Sequence, residues 1–157
     1  MWPANWFKKR KAAAALGASE GRLKILAVSI FLNDRLVLEQ LGKRAGWELR
    51  VTNSPREAFR LVMEKHFEVV LCDRNQCGYP WREVIERLAE NSPRSRILLV
   101  SPMNDDYLWR DVVQKGGYDV LTSPLREADT LHTISAAAGF LSSLSSSSSA
   151  SRTESGR

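Results

Sequence analysis

The feature that most constrains the fold is an alternation of short apolar runs and helical patterns that occurs five times. A mostly apolar run such as Leu23–Val28 is typical of a strand that is buried on both faces. Each run precedes a segment with helical spacing of its apolar residues, as at Trp81, Val84 and Leu88. Five strand–helix units predict an α/β fold in which helices cover both faces of a parallel sheet.

Local signals indicate where several of these elements begin and end. Ser54, Pro55 and Glu57 have the spacing of a capping box, with proline at the first helical position. The first helix is predicted to begin at Asn33 and to stop at Gly46. The apolar residues expected on its buried side are Leu36, Val37, Leu41 and Ala45. The segment that follows alternates apolar and polar residues, which predicts a strand near a sheet edge.

The charge of the 157-residue chain is unevenly distributed. Its net charge is +5, but residues 23–140 carry 16 basic and 16 acidic side chains and are neutral. Residues 1–22 hold five basic side chains and one acidic one, beside several aromatic residues. We therefore predict a basic and aromatic arm over 1–22, a globular domain over 23–140 and a serine-rich tail over 141–157, with arm and tail disordered. The neutral domain predicts no nucleic-acid partner.

Several functional classes are excluded or disfavoured by composition and spacing. No apolar run approaches the ~20 residues of a membrane span. Cys72 and Cys77 lie five residues apart without a nearby histidine, so we interpret them as a core thiol and a loop thiol rather than metal ligands. No glycine-rich phosphate loop follows the first strand, and no hydrolase triad is recognisable. The arm leaves attachment to an anionic surface open as a weaker alternative.

Candidate functional residues stand where the predicted strands end, because open parallel sheets place their sites at the carboxyl ends of the strands. Ser29 and Ile30 follow the first strand, and Asp73 ends the third. Ser101 ends the fourth strand, and Ser123 follows the fifth. These side chains are expected to lie along one edge of the sheet.

Three motifs give these strand ends a family resemblance. The third strand reads Val-Val-Leu-Cys-Asp, the fourth reads Ile-Leu-Leu-Val-Ser, and residues 117–124 read Gly-Tyr-Asp-Val-Leu-Thr-Ser-Pro. In this order they resemble the receiver domain of two-component response regulators, the family of the bacterial chemotaxis regulator. The resemblance covers about residues 23–140. It implies a flavodoxin-like (βα)5 three-layer sandwich whose strand order is 2-1-3-4-5.

The resemblance assigns roles to two of the strand-end residues. In the family, the aspartate that ends the third strand accepts a phosphoryl group from a histidine kinase, which makes Asp73 the candidate phosphoacceptor. A Thr or Ser that ends the fourth strand contacts that phosphoryl group, and Ser101 matches it. The alternative for Asp73 is a structural carboxylate, capped by backbone amides or paired with Arg74. The alternative for Ser101 is a strand-end turn before Pro102.

Other positions depart from the family pattern. The acidic pair that binds Mg²⁺ is replaced by Ser29 and Ile30, and the lysine that neutralises the phosphoryl charge is replaced by Ser123. Val120 stands at the aromatic switch position. Asp34 lies about four residues too late to replace the acidic pair. We therefore predict no resident metal or cofactor, weak or lost Mg²⁺ binding, and a degenerate phosphorylation site.

These predictions combine into a functional hypothesis. The chain is predicted to be a single-domain receiver in bacterial, cytoplasmic phosphorelay signalling, not an enzyme, which acts by binding a histidine kinase or another signalling protein. Trp109, with Val113 on the same helix, is the candidate anchor of the partner face, which also allows a homodimer; burial of Trp109 in the core is the alternative. A phosphorylation-independent scaffold is the competing function. A membrane partner is not expected.

Overall fold

The computed structural model describes residues 21–75 and 78–139. Within them, the strands are β1 (Lys24–Val28), β2 (Glu48–Thr52), β3 (Val69–Asp73), β4 (Arg96–Ser101) and β5 (Asp119–Thr122). The helices are α1 (Leu32–Ala45), α2 (Pro55–Glu64), α3 (Trp81–Asn91), α4 (Asp106–Gln114) and α5 (Glu127–Ala137). The predicted tail and residues 1–20 of the predicted arm lie outside the described residues. None of the helices in the described part is long and apolar enough to traverse a bilayer.

The sheet has the predicted topology. Neighbouring strands pair in parallel, in the order β2-β1-β3-β4-β5, so β2 and β5 form the two edges. Every residue of β3 is buried, as expected for an apolar strand between two others. The α/β fold class and the strand order 2-1-3-4-5 are thereby confirmed.

Two apolar cores fill the space between the sheet and its helices. Because side chains alternate along a strand, Leu26 and Val28 of β1 belong to the core under α2, α3 and α4. Ile25 and Ala27 belong to the core under α1 and α5. The result is three layers, in which helices cover both faces of the sheet.

The buried side of α1 differs from the predicted one. Leu36 is 47% exposed, whereas Leu38 and Leu41 are buried. Val37 and Ala45 are only partly buried. Asp34 lies on the buried side, one turn before Leu38, and is 2% exposed. The apolar spacing therefore placed Val37, Leu41 and Ala45 on the core side correctly. It was wrong for Leu36 and missed Asp34 and Leu38, because the core stripe begins with a carboxylate.

The capping box at the start of α2 is half confirmed. The Ser54 hydroxyl accepts a hydrogen bond from the Glu57 N–H at 3.3 Å, as the motif predicts. Glu57 does not complete the box, since its carboxylate accepts from the hydroxyl of Thr52 at 2.6 Å. The Ser54 N–H donates to that same threonine oxygen at 3.2 Å. Thr52, the last residue of β2, thus ties the strand end to the helix start.

Candidate functional site at the carboxyl edge of the sheet

Asp73 occupies the centre of the carboxyl edge, because β3 lies between β1 and β4. The residue is 1% exposed. Its Oδ1 accepts a hydrogen bond from the backbone N–H of Asn75 at 2.8 Å, as in an Asx turn. The next residue, Arg74, donates its backbone N–H to the carbonyl of Val100 in β4 at 2.9 Å. The carboxylate is therefore engaged by the loop that it begins.

The end of β1 presents a serine and an isoleucine. Ser29 has a φ of 54° and donates its backbone N–H to the Thr52 carbonyl at 2.8 Å. Its hydroxyl donates to the carbonyl of Asn53 at 3.2 Å. Ile30 is 6% exposed and belongs to the same apolar core as Leu38. Both residues thus interact with β2 and the core, and neither brings a carboxylate to the edge.

Ser101 is fully buried at the end of β4. Its Oγ accepts a hydrogen bond from the backbone N–H of Met103 at 3.2 Å. This bond crosses Pro102, which has no N–H of its own. The Ser101 side chain therefore stabilises a turn at the end of the strand. The same residue stands at the position that the resemblance assigns to a phosphoryl contact.

Ser123 is bound to a residue that sequence reasoning placed outside the site. The Ser123 hydroxyl donates to Oδ2 of Asp34 at 2.6 Å, and the backbone N–H of Leu125 donates to Oδ1 of Asp34 at 2.9 Å. Asp34 lies on α1, 89 positions earlier in the chain than Ser123. Burial of Asp34 had a signal, since positions 34, 38 and 41 share one face of a helix, but Asp34 was weighed only as a replacement for the acidic pair.

One of the two cysteines lies within the described residues. Cys72 is buried in β3, and Cys77 lies outside the described residues, together with Gln76. Among residues 21–75 and 78–139, no three His, Cys, Asp or Glu side chains are arranged to hold a metal ion.

Comparison with known proteins identifies the architecture. No protein-family model matches the sequence, and a search of curated proteins finds no match either. The chemotaxis protein CheY4 of Vibrio cholerae matches with a TM-score of 0.67 and 19% identity, over 74% of this chain and 98% of its own. The chain has the fold of a receiver domain.

Two further receiver structures have the same fold. The NtrC4 receiver domain, determined as a beryllofluoride-activated dimer, matches with a TM-score of 0.62 and 22% identity, over 73% of this chain and 94% of its own. The Ssk1 receiver domain of Saccharomyces cerevisiae, co-crystallised with the phosphotransfer protein Ypd1, has a TM-score of 0.64 and 14% identity. It covers 73% of this chain and 87% of its own.

Val120, at the position that the resemblance assigns to the switch residue, lies on the inner side of α4, whereas Trp109 and Val113 lie on its outer side. Val120 in β5 is buried and packs in the core that contains Leu108 and Val112 of α4. Trp109 is 45% exposed and Val113 is 40% exposed. Trp109 is therefore not a core side chain. It stands one helical turn from Val113, on the outer side of α4.

A groove of about 530 Å³ runs between β5 and α5. It is lined mostly by polar side chains, among them Asn104, Thr122, Arg126, Asp129, His132 and Thr133. Ser123 and Pro124 form part of its wall. Within the receiver fold, the loop that carries Ser123 therefore contributes both to the strand-end site and to this groove.

Proposed function

We propose that the protein is a receiver-like module of cytoplasmic two-component signalling, with a degenerate phosphorylation site, that acts by binding other proteins rather than as an enzyme. The observation that carries this proposal is the hydrogen bond from Ser123 to Asp34. At the position where the receiver family has a cationic lysine, this chain has a hydroxyl that is already bound to a buried carboxylate. The loop between β5 and α5 therefore lacks the positive charge that neutralises the phosphoryl group in the family.

Charge balance at the edge of the sheet supports the degenerate site. A phosphoryl group adds about −1.5 to −2 charges, which a metal ion and cationic groups normally neutralise during transfer. Mg²⁺ is usually held by one or two carboxylates together with phosphate oxygens and water. At the ends of β1, β3, β4 and β5, only Asp73 contributes a carboxylate. Asp34 adds negative charge on the same edge, and both of its oxygens already accept hydrogen bonds.

A second candidate function is that of a phosphoacceptor. It is favoured by Asp73 and Ser101, which are both buried and end adjacent strands of the sheet. Their side chains stand at the two positions that the receiver family uses for the acceptor and for the phosphoryl contact. The two candidate functions differ in whether the site can stabilise a phosphoryl group on Asp73.

A titration with Mg²⁺ and beryllofluoride, which mimics a phosphoryl group on an aspartate, separates the two candidates. Trp81 begins α3 directly after the loop that follows Asp73, so tryptophan fluorescence reports on this region. We expect no saturable change at millimolar Mg²⁺, with or without beryllofluoride. Asp73→Ala is the matched control. A saturable change in the wild-type protein that is lost in Asp73→Ala would favour the phosphoacceptor.

The candidate binding face is the outer side of α4. Trp109 and Val113 form an exposed apolar pair, and tryptophan is the residue type most enriched at the energetic centres of interfaces. The NtrC4 receiver domain forms a dimer and the Ssk1 receiver binds a phosphotransfer protein. By analogy, we propose a second copy or a signalling protein as the partner of this face.

Sedimentation velocity over roughly 10 to 300 µM tests the homodimer. We expect the sedimentation coefficient of the wild-type protein to rise with concentration, because the exposed pair is removed from water on association. Trp109→Ala should raise the dissociation constant of the dimer by about tenfold or more, as expected for the loss of an anchor residue. Tyr107→Ala, at an 83% exposed position of the same helix, is the control. If both variants associate like the wild type, this face is not the dimer interface.

A further inference from the structure

We propose that Asp34 is a positioning residue: its carboxylate holds the loop between β5 and α5 in one conformation and so shapes the groove beside it. The proposal rests on the proposed function, in which protein binding rather than phosphorylation carries the signal. Family resemblance assigned no role to this position. The inference comes from the two long-range hydrogen bonds that meet at this one side chain.

The carboxylate of Asp34 uses each of its oxygens for a different part of the loop. Oδ2 accepts from the hydroxyl of Ser123 at 2.6 Å, and Oδ1 accepts from the backbone N–H of Leu125 at 2.9 Å. Asp34 is 2% exposed, so most of its carboxylate is shielded from water. The two bonds therefore fix the loop both through a side chain and through the main chain.

The loop is held at its two ends by different elements. The backbone N–H of Ser123 donates to the carbonyl of Ser101 at 2.8 Å, which ties its start to β4. Pro124 has no N–H to donate. Leu125 is 6% exposed in the core under α1 and α5. The bonds to Asp34 are thus the link that orients the segment between β4 and this core.

Two depressions share this loop as a common wall. The polar groove between β5 and α5 is lined by Ser123 and Pro124. The same two residues, with Asp34, line a smaller depression of about 280 Å³ at the start of α1, beside the exposed Phe31 and Leu32. A shift of the loop therefore changes the shape of both surfaces at once. Asp34 sets that shape because its carboxylate, on α1, binds the loop that separates the two depressions.

Substitutions at Asp34 separate positioning from charge. In Asp34→Asn, the amide oxygen can accept from the Leu125 N–H while the amide nitrogen donates to the Ser123 hydroxyl. This variant keeps both connections without the charge. Asp34→Ala removes both, and leaves the Leu125 N–H buried without its acceptor. Ser123→Ala removes only the side-chain connection and leaves the main-chain one.

Amide hydrogen exchange of the full chain, followed by NMR, tests the proposal. We expect the Leu125 amide to exchange at least tenfold faster in Asp34→Ala than in the wild-type protein, and at close to the wild-type rate in Asp34→Asn. Resonance shifts should concentrate in residues 101–104 and 120–133, which line the groove or adjoin it. Ser123→Ala should give a smaller increase of the same kind and remains the test if Asp34→Ala does not fold.

Two results would overturn the proposal. One is an unchanged Leu125 exchange rate in Asp34→Ala or, if that variant does not fold, in Ser123→Ala. The other is an increase of equal proportion at the core amides of β1 and β3, which is the signature of a residue that only stabilises the whole fold. Neither result depends on phosphorylation. Phosphoryl transfer to Asp73 would refute the proposed function. The hydrogen-exchange data would still test the positioning role of Asp34.

Discussion

Incubation of the full chain with acetyl phosphate and Mg²⁺ is expected to leave its intact mass unchanged. Transfer to Asp73 would build up negative charge that the receiver family neutralises with a metal ion and a lysine. In this chain, Ser29 and Ile30 stand where the metal-binding acids would be, and Ser123 stands where the lysine would be. The Ser123 hydroxyl is also bound to Asp34, so it is not oriented to donate to a new anion.

The size of the expected effect follows from the number of groups that are missing. Removing one preorganised group that stabilises developing charge slows catalysis by roughly 10²–10³-fold. Loss of both the metal site and the lysine should therefore slow transfer by roughly 10⁴-fold or more. Over an incubation that saturates a receiver domain with the full set of residues, we expect no detectable phosphorylated fraction here.

The controls make this experiment decisive. A receiver domain with the acidic pair and the lysine, incubated under the same conditions, shows that the phosphate donor is active. Asp73→Ala identifies transfer to any other side chain. A mass gain of one phosphoryl group in the wild-type protein, absent from Asp73→Ala, would contradict the degenerate site and make Asp73 a switch.

The fold could be predicted from the sequence because its signals are local and repeated. Most strands are short apolar runs followed by a helical pattern, and several of these patterns have a start or stop signal, such as Ser54 at α2. Five units of this kind leave few ways to cover a parallel sheet on both faces. An error in one unit, such as the exposed Leu36 that was predicted on the buried side of α1, does not change the topology that the other units require.

The site was less predictable because its decisive contact depends on tertiary structure. Asp34 meets Ser123 and Leu125 across 89 and 91 positions of sequence, and nothing near either end signals the pairing. An acid within a helical pattern normally marks the solvent side, since carboxylates are seldom buried unless paired. Here the hydrogen-bond partners come from a loop that is distant in sequence but adjacent in the fold. The buried carboxylate is therefore recognisable only in the folded chain.

The surroundings of Trp109 were ambiguous for a different reason. Apolar residues occupy two adjacent pairs of positions in α4, Leu108 with Trp109 and Val112 with Val113. Either member of each pair could face the core at helical spacing. In the structure, Leu108 and Val112 take the buried side, which leaves Trp109 and Val113 on the surface. Sequence spacing alone does not distinguish these two rotations of the helix.

Substitution of Gly116 by alanine is expected to cause a large loss of stability at the turn between α4 and β5. Gly116 has a φ of 101°, a conformation that residues with a side chain rarely adopt. A Cβ at this position would lie 2.8 Å from the Cβ of Ala89 on α3, closer than van der Waals contact allows. Neither atom belongs to a flexible side chain, so the backbone of the turn must shift.

The two costs add at this position. The left-handed backbone costs a residue with a side chain about 1–2 kcal/mol, and overpacking in a well-packed region costs about 1–3 kcal/mol more. We therefore expect Gly116→Ala to lower the free energy of unfolding by about 3 kcal/mol. That loss corresponds to a fall in the melting temperature of roughly 10 °C for a domain of this size.

Gly46→Ala is the matched control, because Gly46 also has a positive φ, of 73°, but a Cβ there would meet nothing within 4 Å. Its expected cost is the backbone contribution alone, about 1 kcal/mol. Urea unfolding of both variants gives the two free energies under the same conditions. Equal losses would show that the approach of α3 to the turn is not tight. A larger loss at Gly116 would show that the close approach of α3 adds its own cost to that of the backbone at this turn.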